Sequence, residues 1–272
     1  MGQKTSPLSI RPNNNYIIWT NFEEYSLHYK IRNYIVNFLN KKGLLINDLN
    51  IKKDNNTLYI NLNFIISKSS NLYIKKFRKL IKRKNQVKNN NKINSSSLKF
   101  FLKTLAKIYN VKKIHFKATR LDVKINPTLL NLLLIKGQKL GLNKQLRNKY
   151  IKDLIIALTL LLQNSNTKAF LLTYILAKHF TWLPKKQHKR FFIFLRDLFK
   201  IVYELDKQKN NHILGIKLLV SGKISGKNQA SNFRSIVGSV FNQTINKNVD
   251  YAAQTSFNKL GTFGWKLWIS KN

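Results

Sequence analysis

The side chains that could do chemistry in this sequence are overwhelmingly cationic. Lys and Arg number 50 against 10 Asp and Glu among 272 residues, which gives a formal net charge of +40. Between residues 55 and 121 there is no acidic residue at all. A solvated protein face usually interleaves both signs, because uncompensated like charges repel one another. The charge distribution therefore predicts a polyanionic partner, nucleic acid above all, with a membrane surface as the rival.

The groups that catalysis or metal binding would need are sparse. Glu23, Glu24 and Asp250 are the few carboxylates worth noting, and they form no evident acid–base pair. The five His residues show no metal-ligand spacing, and there is no Cys. The segment Gly222–Lys227 has three residues between its glycines where a phosphate-binding loop needs four. We therefore expect no enzyme activity, no metal, no cofactor and no small-molecule substrate.

A cationic helix face is the clearest local pattern. After Pro184, four basic residues are separated by four, seven and four positions: Lys185, Lys189, Arg196 and Lys200. That spacing predicts one face of a helix. The opposite face would consist of Phe192, Leu195, Phe199 and Val202. The pattern is also that of an ordinary amphipathic helix whose cations face structural RNA.

Tryptophan could add base stacking to the charge. The chain has four: Trp19, Trp182, Trp265 and Trp268. Tryptophans are more often core residues than stacking residues. Within 265–269 the apolar residues alternate, so Trp268 would point away from the apolar face of a strand. We therefore expect Trp268 to be the better stacking residue of the four.

Four segments must position these residues. Residues 1–20 predict an extended tail, because Pro7, Pro12 and an Asn run disfavour regular structure. Residues 21–120 predict helix, strand, strand, helix, helix, strand, an α+β layer with its helices on one sheet face. Residues 121–167 predict a Leu-rich helical insertion or linker. Residues 168–272 predict a second α+β domain that ends in an antiparallel sheet.

The individual elements can be bounded approximately. In the first domain we expect helices over 22–42, 72–84 and 98–109 and strands over 49–52, 58–66 and 113–117. In the second we expect helices over 168–180 and 186–205 and strand-like runs over 216–220, 239–245, 249–255 and 265–269. The longest apolar runs, 154–162 and 169–176, fall short of the ~20 residues of a membrane span. No membrane association is expected.

The last part of the chain resembles a known family. Gly215-Ile216-Lys217 with Val220-Ser221-Gly222-Lys223 is similar to the Gly-Ile-Lys and Val-Ser-Gly-Arg segments of the small-subunit ribosomal protein three family. The resemblance continues to the end of the chain through Gly226, Gly238, Asp250-Tyr251, Gly261, Gly264 and Lys266–Ile269. It covers roughly the last 58 residues. The opening Met1–Lys4 and the segment His28–Tyr34 are also similar to the family.

The resemblance implies a structural protein in the head of the small ribosomal subunit. Its partners would be the small-subunit rRNA, mRNA and neighbouring head proteins. Residues 21–120 would form a type II KH domain, in which a Gly-x-x-Gly loop lets the backbone approach phosphates. No glycine occurs between Gly43 and Gly137, so this loop is degenerate. Lys68 and the basic helix after it would supply charge instead.

The resemblance also implies residue roles. In the family, the basic helix lines the mRNA entrance of the small subunit. Lys189 and Arg190 fall where the family has an Arg pair, whereas Ile193 stands at the next basic position. We assign the mRNA entrance to Lys185, Lys189, Arg190 and Arg196. We assign rRNA binding to Lys4, Arg11, Lys68, Lys223, Lys227, Arg234, Lys247 and Lys259.

The bias toward Asn, Lys, Ile, Phe and Tyr indicates an AT-rich gene, such as one in a mitochondrial genome. The start of the chain shows neither a signal peptide nor a presequence, which fits synthesis inside that organelle. We therefore expect a mitochondrial small-subunit protein. One alternative is an organellar intron-splicing or other nucleic-acid-processing factor, which would need paired acids for metal ions. A peripheral membrane protein would need an amphipathic helix of low net hydrophobicity.

Overall fold

The computed structural model describes residues 32–39, 43–53, 56–67, 102–107, 112–121, 149–163, 168–209 and 212–272, with Pro7 and isolated residues between 128 and 140. These residues fall into two compact units, one within 18–122 and one within 123–272. The helix predicted over 72–84 lies outside the described residues, and so does the predicted tail apart from Pro7.

The first unit contains a three-stranded mixed sheet. Its strands are β1 (Leu44–Lys53), β2 (Thr57–Ile66) and β3 (Lys113–Arg120). β2 lies in the centre, antiparallel to β1 and parallel to β3. The three predicted strands are confirmed, and the structure extends each of them. Residues 32–39 and 102–107 are helical.

One face of this sheet carries the core of the unit. Leu58, Ile60 and Leu62 alternate along β2 and are buried, as the period of two in a half-buried strand requires. Ile35 and Leu105 of the two helical segments belong to the same apolar cluster. The described order is helix, strand, strand, helix, strand. Lys68 and the region of the second predicted helix lie outside the described residues, so the KH-like fold stays a prediction.

The second unit combines three helices with a four-stranded sheet. The helices are α1 (Lys149–Gln163), α2 (Ala169–Phe180) and α3 (His188–Lys209). The strands are β4 (Ile213–Gly222), β5 (Ser231–Gly238), β6 (Asn248–Asn258) and β7 (Gly261–Lys271). They lie in the order β5-β4-β7-β6, with every neighbouring pair antiparallel. The predicted α+β architecture with an antiparallel sheet is confirmed for this unit.

Aromatic side chains join the helices to one face of this sheet. The Phe180 ring of α2 lies 4.7 Å from Phe263 and 5.2 Å from Trp265 of β7, measured between ring centroids. The Phe192 ring of α3 stacks on Phe233 of β5 at 4.7 Å. Large buried aromatic rings contribute strongly to a core because each removes a large apolar area from water. α1 packs on α2 and α3.

One predicted strand is wrong in position. The strand predicted over 239–245 is a loop, and the edge strand is Ser231–Gly238. Ser231 and Ser235 occupy two of its four helix-facing positions, so its sequence lacks a clear apolar alternation. The helix predicted over 186–205 is confirmed as α3, which begins at His188. Lys185, which was predicted to share its cationic face, lies in the preceding 3₁₀ turn, Lys185–Gln187.

Candidate nucleic-acid interface

The turn between α2 and α3 is fixed by a side chain that is more than 70 residues away in the sequence. Asn258, the last residue of β6, donates from Nδ2 to the carbonyls of Phe180, at 3.3 Å, and Leu183, at 3.2 Å. Its Oδ1 accepts the backbone N–H of Lys259 at 2.6 Å. One amide thus donates to two carbonyls at and just beyond the end of α2, where the helix itself offers no donor. The β6–β7 turn and the α2–α3 turn are therefore held together.

His188 ties a second loop to the same place. Its Nδ1 accepts the backbone N–H of Ser225 at 3.2 Å, and its Nε2 lies 3.3 Å from the carbonyl of Leu183. Burial lowers the pKa of His188, and the hydrogen bond to Leu183 raises it by a smaller amount. These partners fit the neutral ring with its proton on Nε2. A protonated Nδ1 would face the Ser225 N–H, so the geometry favours a neutral anchor for the 3₁₀ turn Ile224–Gly226.

Exposed cations converge where these loops meet. An added Cβ on Gly226 would lie 3.7 Å from the side chains of both Lys185 and Leu260. This joins the 223–227 loop to the α2–α3 turn and to the β6–β7 turn. We call this region the basic end. Its exposed cations are Lys185, Lys186, Lys189, Arg190, Lys223, Lys227 and Lys259.

The exposed side of α3 extends the basic end into a stripe. Lys189, Ile193, Arg196 and Lys200 follow one another at intervals of four, three and four residues and are all exposed. The predicted buried positions are confirmed, since Phe192, Leu195, Phe199 and Val202 lie in the core. Ile193 interrupts the charge with a side chain that is 39% exposed. The Nε of Arg196 lies 3.7 Å from Oδ1 of Asp197, so part of its charge is engaged within the helix.

A second basic surface covers the sheet face that points away from the helices. Lys217 of β4 places its Nζ 4.8 Å from the ring centroid of Trp268 on β7. Its pKa is lowered, mainly by burial and secondarily by the positive charge of Arg234. Lys266 is exposed on the same face. Arg234 therefore lies away from the basic end, and sequence reasoning missed both Lys217 and Lys266.

Lys247 is not brought to either surface. It lies in the loop between β5 and β6, with its Nζ 5.8 Å from the Phe241 ring. Lys4, Arg11 and Lys68 lie outside the described residues.

The expectation for the tryptophans is met at Trp265 and fails at Trp268. Trp268 is only 9% exposed, because Lys217 and Tyr251 pack against its ring. Trp265 is a core residue, and Trp19 lies outside the described residues. Trp182, in the α2–α3 turn, is 74% exposed. The prediction that Trp268 is the better stacking residue is therefore wrong, and Trp182 is the accessible indole at the basic end.

Asp250 fixes the start of α2. Its Oδ2 accepts the backbone N–H of Ala169 at 2.7 Å, while Lys168 at the N-cap position makes no side-chain cap. A carboxylate is favoured there, since helix N-termini carry unpaired N–H groups and partial positive charge. The buried Lys271 has its pKa lowered to about 8, chiefly by burial, with Asp250 opposing that shift and Lys168 adding to it. The expectation that Asp250 fixes local structure is confirmed.

Among the residues that the structure describes, no three His, Cys, Asp or Glu side chains come together as a group that could hold a metal ion. In the same part of the chain, no helix combines the length and the apolarity that a membrane crossing requires.

The C-terminal unit is thus a cationic α+β domain, with α2 and α3 over one face of an antiparallel sheet and α1 packed on those two helices. Residues 196–269 match the family described as Ribosomal protein S3, C-terminal domain. The chain is also similar to the Small ribosomal subunit protein uS3 of Fusobacterium nucleatum subsp. nucleatum, with 33% identity over 61 residues. That alignment covers 22% of this chain and 28% of the relative. Both findings support the family resemblance that the C-terminal residues carry.

Proposed function

We propose that this protein is a structural constituent of the small ribosomal subunit, in its head, where it binds rRNA. The observation that carries the proposal is the match of residues 196–269 to the C-terminal domain of ribosomal protein S3. The basic end supports it independently, because it gathers seven exposed cations from the first turn of α3 and from the turns that His188 and Asn258 anchor.

The proposed mechanism is electrostatic. The cations of the basic end, together with Arg234 and Lys247, would neutralise rRNA phosphates. The counterions held by those phosphates would then be released. Neutralisation lets RNA helices approach one another closely. Anchored loops lose less conformational entropy on binding than flexible loops do. A smaller part of the favourable energy of each cation–phosphate contact is therefore offset by ordering the loop. In the N-terminal part, a KH-like domain with Lys68, together with Lys4 and Arg11, would add further contacts.

The α3 stripe would line the mRNA entrance. Lys185, Lys189, Arg190 and Arg196 would guide the incoming strand through contacts with its phosphates. Ile193 removes one cation from the middle of the stripe, and Asp197 engages part of the charge of Arg196. We therefore expect a weaker hold on mRNA than an uninterrupted basic stripe would give.

The proposed location is the mitochondrion, with mRNA, rRNA and neighbouring head proteins as partners. Composition supports this location, since Asn, Lys and Ile are abundant in the chain as they are in proteins of AT-rich genomes.

A density gradient of organelle lysate tests the proposal. Subunits are separated in high salt, and the fractions are probed for this chain. We expect it to sediment with the small subunit, because contacts distributed over many phosphates and packed protein neighbours resist salt better than a single patch. Recovery at the top of the gradient, or with membranes, would refute the ribosomal assignment. Treating the lysate with ribonuclease before sedimentation is the control, since it should release a chain that is held by RNA.

A further inference from the structure

Trp182 is an exposed aromatic side chain on a rigid turn. Its indole is 74% exposed, although its neighbours Phe180 and Leu183 are buried. The turn is closed by hydrogen bonds from the backbone N–H of Trp182 to His179 at 3.3 Å and from Leu183 to Phe180 at 3.1 Å. The side chains of Asn258 and His188 hold the same turn. The backbone of Trp182 is therefore fixed while its ring faces solvent.

The charge around Trp182 indicates which class of partner binds its exposed ring. Lys178 precedes it by four residues, and the exposed Lys185 and Lys186 follow in the next turn. There is no acidic residue between Asp153 and Asp197 in the sequence. Protein–protein interfaces are depleted of Lys relative to the rest of the surface. An aromatic ring flanked by cations is instead the arrangement that binds single-stranded nucleic acid, in which bases stack on the ring and phosphates contact the cations.

We propose that Trp182 stacks on a base of single-stranded RNA while Lys185 and Lys186 contact the adjoining phosphates. Double-stranded RNA does not fit this role, because its bases are already stacked within the helix. The inference rests on the proposed function for its choice of RNA as partner. It adds a base contact to an interface that otherwise acts on phosphates, at a position that the sequence alone did not single out.

The test uses the full chain and a labelled oligouridylate of about 12 nucleotides, which lies within the length range of single-strand sites. The dissociation constant is measured by fluorescence anisotropy. Trp182→Ala should weaken binding roughly tenfold, since one base–aromatic stack contributes about that factor. Trp182→Phe should stay within about threefold of wild type, because a phenyl ring can still stack. The salt dependence should not change in either variant, since no phosphate contact is removed.

Two controls separate stacking from other causes. Phe257→Ala removes an aromatic ring that is 70% exposed on β6 of the same unit and should leave the affinity unchanged. An abasic strand of the same length keeps the phosphates but lacks the bases, so wild type and Trp182→Ala should bind it equally. The melting temperature of Trp182→Ala should match wild type, because the indole is exposed.

Wild-type affinity of Trp182→Ala for oligouridylate would overturn the inference and leave the exposed indole to a protein partner. An equal loss with Phe257→Ala, or an equal loss on the abasic strand, would overturn it too. The density gradient is independent of these results. If the chain does not sediment with the small subunit, but Trp182→Ala still weakens oligouridylate binding, the proposed function is refuted and the stacking role of Trp182 is supported. A chain that sediments with the small subunit but binds oligouridylate equally well as wild type and as Trp182→Ala would support the proposed function and refute the stack.

Discussion

His179 on α2 is a buried ionisable residue with a calculable effect on stability. It is 3% exposed, its ring lies 4.9 Å from Phe191, and burial lowers its pKa to about 4. In the unfolded chain a His titrates near 6.5. Below that pH the unfolded state binds a proton that the folded state does not. The free energy of unfolding should therefore fall as the pH drops from about 6.5 to about 4, by about 3 kcal/mol for this residue.

Urea unfolding at a series of pH values checks this effect. His179→Gln should have a shallower pH dependence than wild type over that interval, whatever its stability at neutral pH. Some dependence should remain, since burial also lowers the pKa of His188. His212→Gln is the matched control, because it makes the same substitution at an exposed position. Identical slopes for His179→Gln and wild type would contradict the assignment.

Residue partners were the least predictable part of the site. The role of Asp250 was expected to be structural, but the N–H that it accepts belongs to Ala169, 81 positions away. Likewise, alternation placed Trp268 on the sheet face that points away from the helices, yet it carried no information that Lys217 and Tyr251 cover that ring. Sequence spacing gives the direction of a side chain, whereas exposure depends on what the rest of the fold brings to it.

Elements were predictable where one face is uniformly apolar. β7 presents Phe263, Trp265, Leu267 and Ile269 to the helices, and its strand was predicted from that alternation. β5 presents Ser231, Phe233, Ser235 and Val237 to the helices, so only two of these four residues are apolar and the alternation is weak. The β-branched and aromatic residues beyond Gly238 led to a strand being predicted there instead. The chain leaves the sheet there because Gly238 has a φ of 70°. That left-handed backbone conformation favours glycine, and an ordinary strand does not continue through it.

The interrupted stripe on α3 gives a prediction for an element. Ile193 lies between Lys189 and Arg196 and is 39% exposed, so a Lys at this position should reach solvent without disturbing the core. Ile193→Lys should tighten oligouridylate binding and steepen its salt dependence by about 0.7 in the log–log slope, for one added phosphate contact. The double variant Lys189→Ala, Arg190→Ala should weaken binding and reduce the slope by up to about 1.4.

Anisotropy titrations over a range of KCl concentrations give both quantities. Glu204→Gln is the matched control, because it changes the net charge by the same amount on the same helix, where Glu204 is also exposed. It adds no cation at the stripe, so its slope should equal that of wild type. An equal effect of Glu204→Gln and Ile193→Lys would show that binding responds to total charge, and the stripe would lose its assigned role.

The whole molecule carries more charge than its own acidic residues can compensate. Composition established this without any structure, since 10 carboxylates cannot pair with 50 cations. It could not show where the charge collects. The basic end is assembled from segments near residues 185–190, 223–227 and 259, which are distant in sequence and are held together by the hydrogen bonds of His188 and Asn258. A sequence pattern confined to one element does not reveal such a surface.

A net charge of +40 should make the stability of the isolated chain depend on ionic strength. Salt shortens the screening length from about 30 Å at 0.01 M to about 8 Å at 0.15 M, which weakens repulsion across the fold. A gain of about 1–2 kcal/mol would raise the melting temperature by roughly 2–8 °C. Calorimetry in increasing KCl measures this shift, and sucrose at equal osmolality, being uncharged, should produce a smaller one. Short RNA should give the same rise at far lower concentration, because it binds the folded surface as a polyanion. A melting temperature that is flat or falls with KCl would mean that repulsion between cations is not what limits the stability of the free protein.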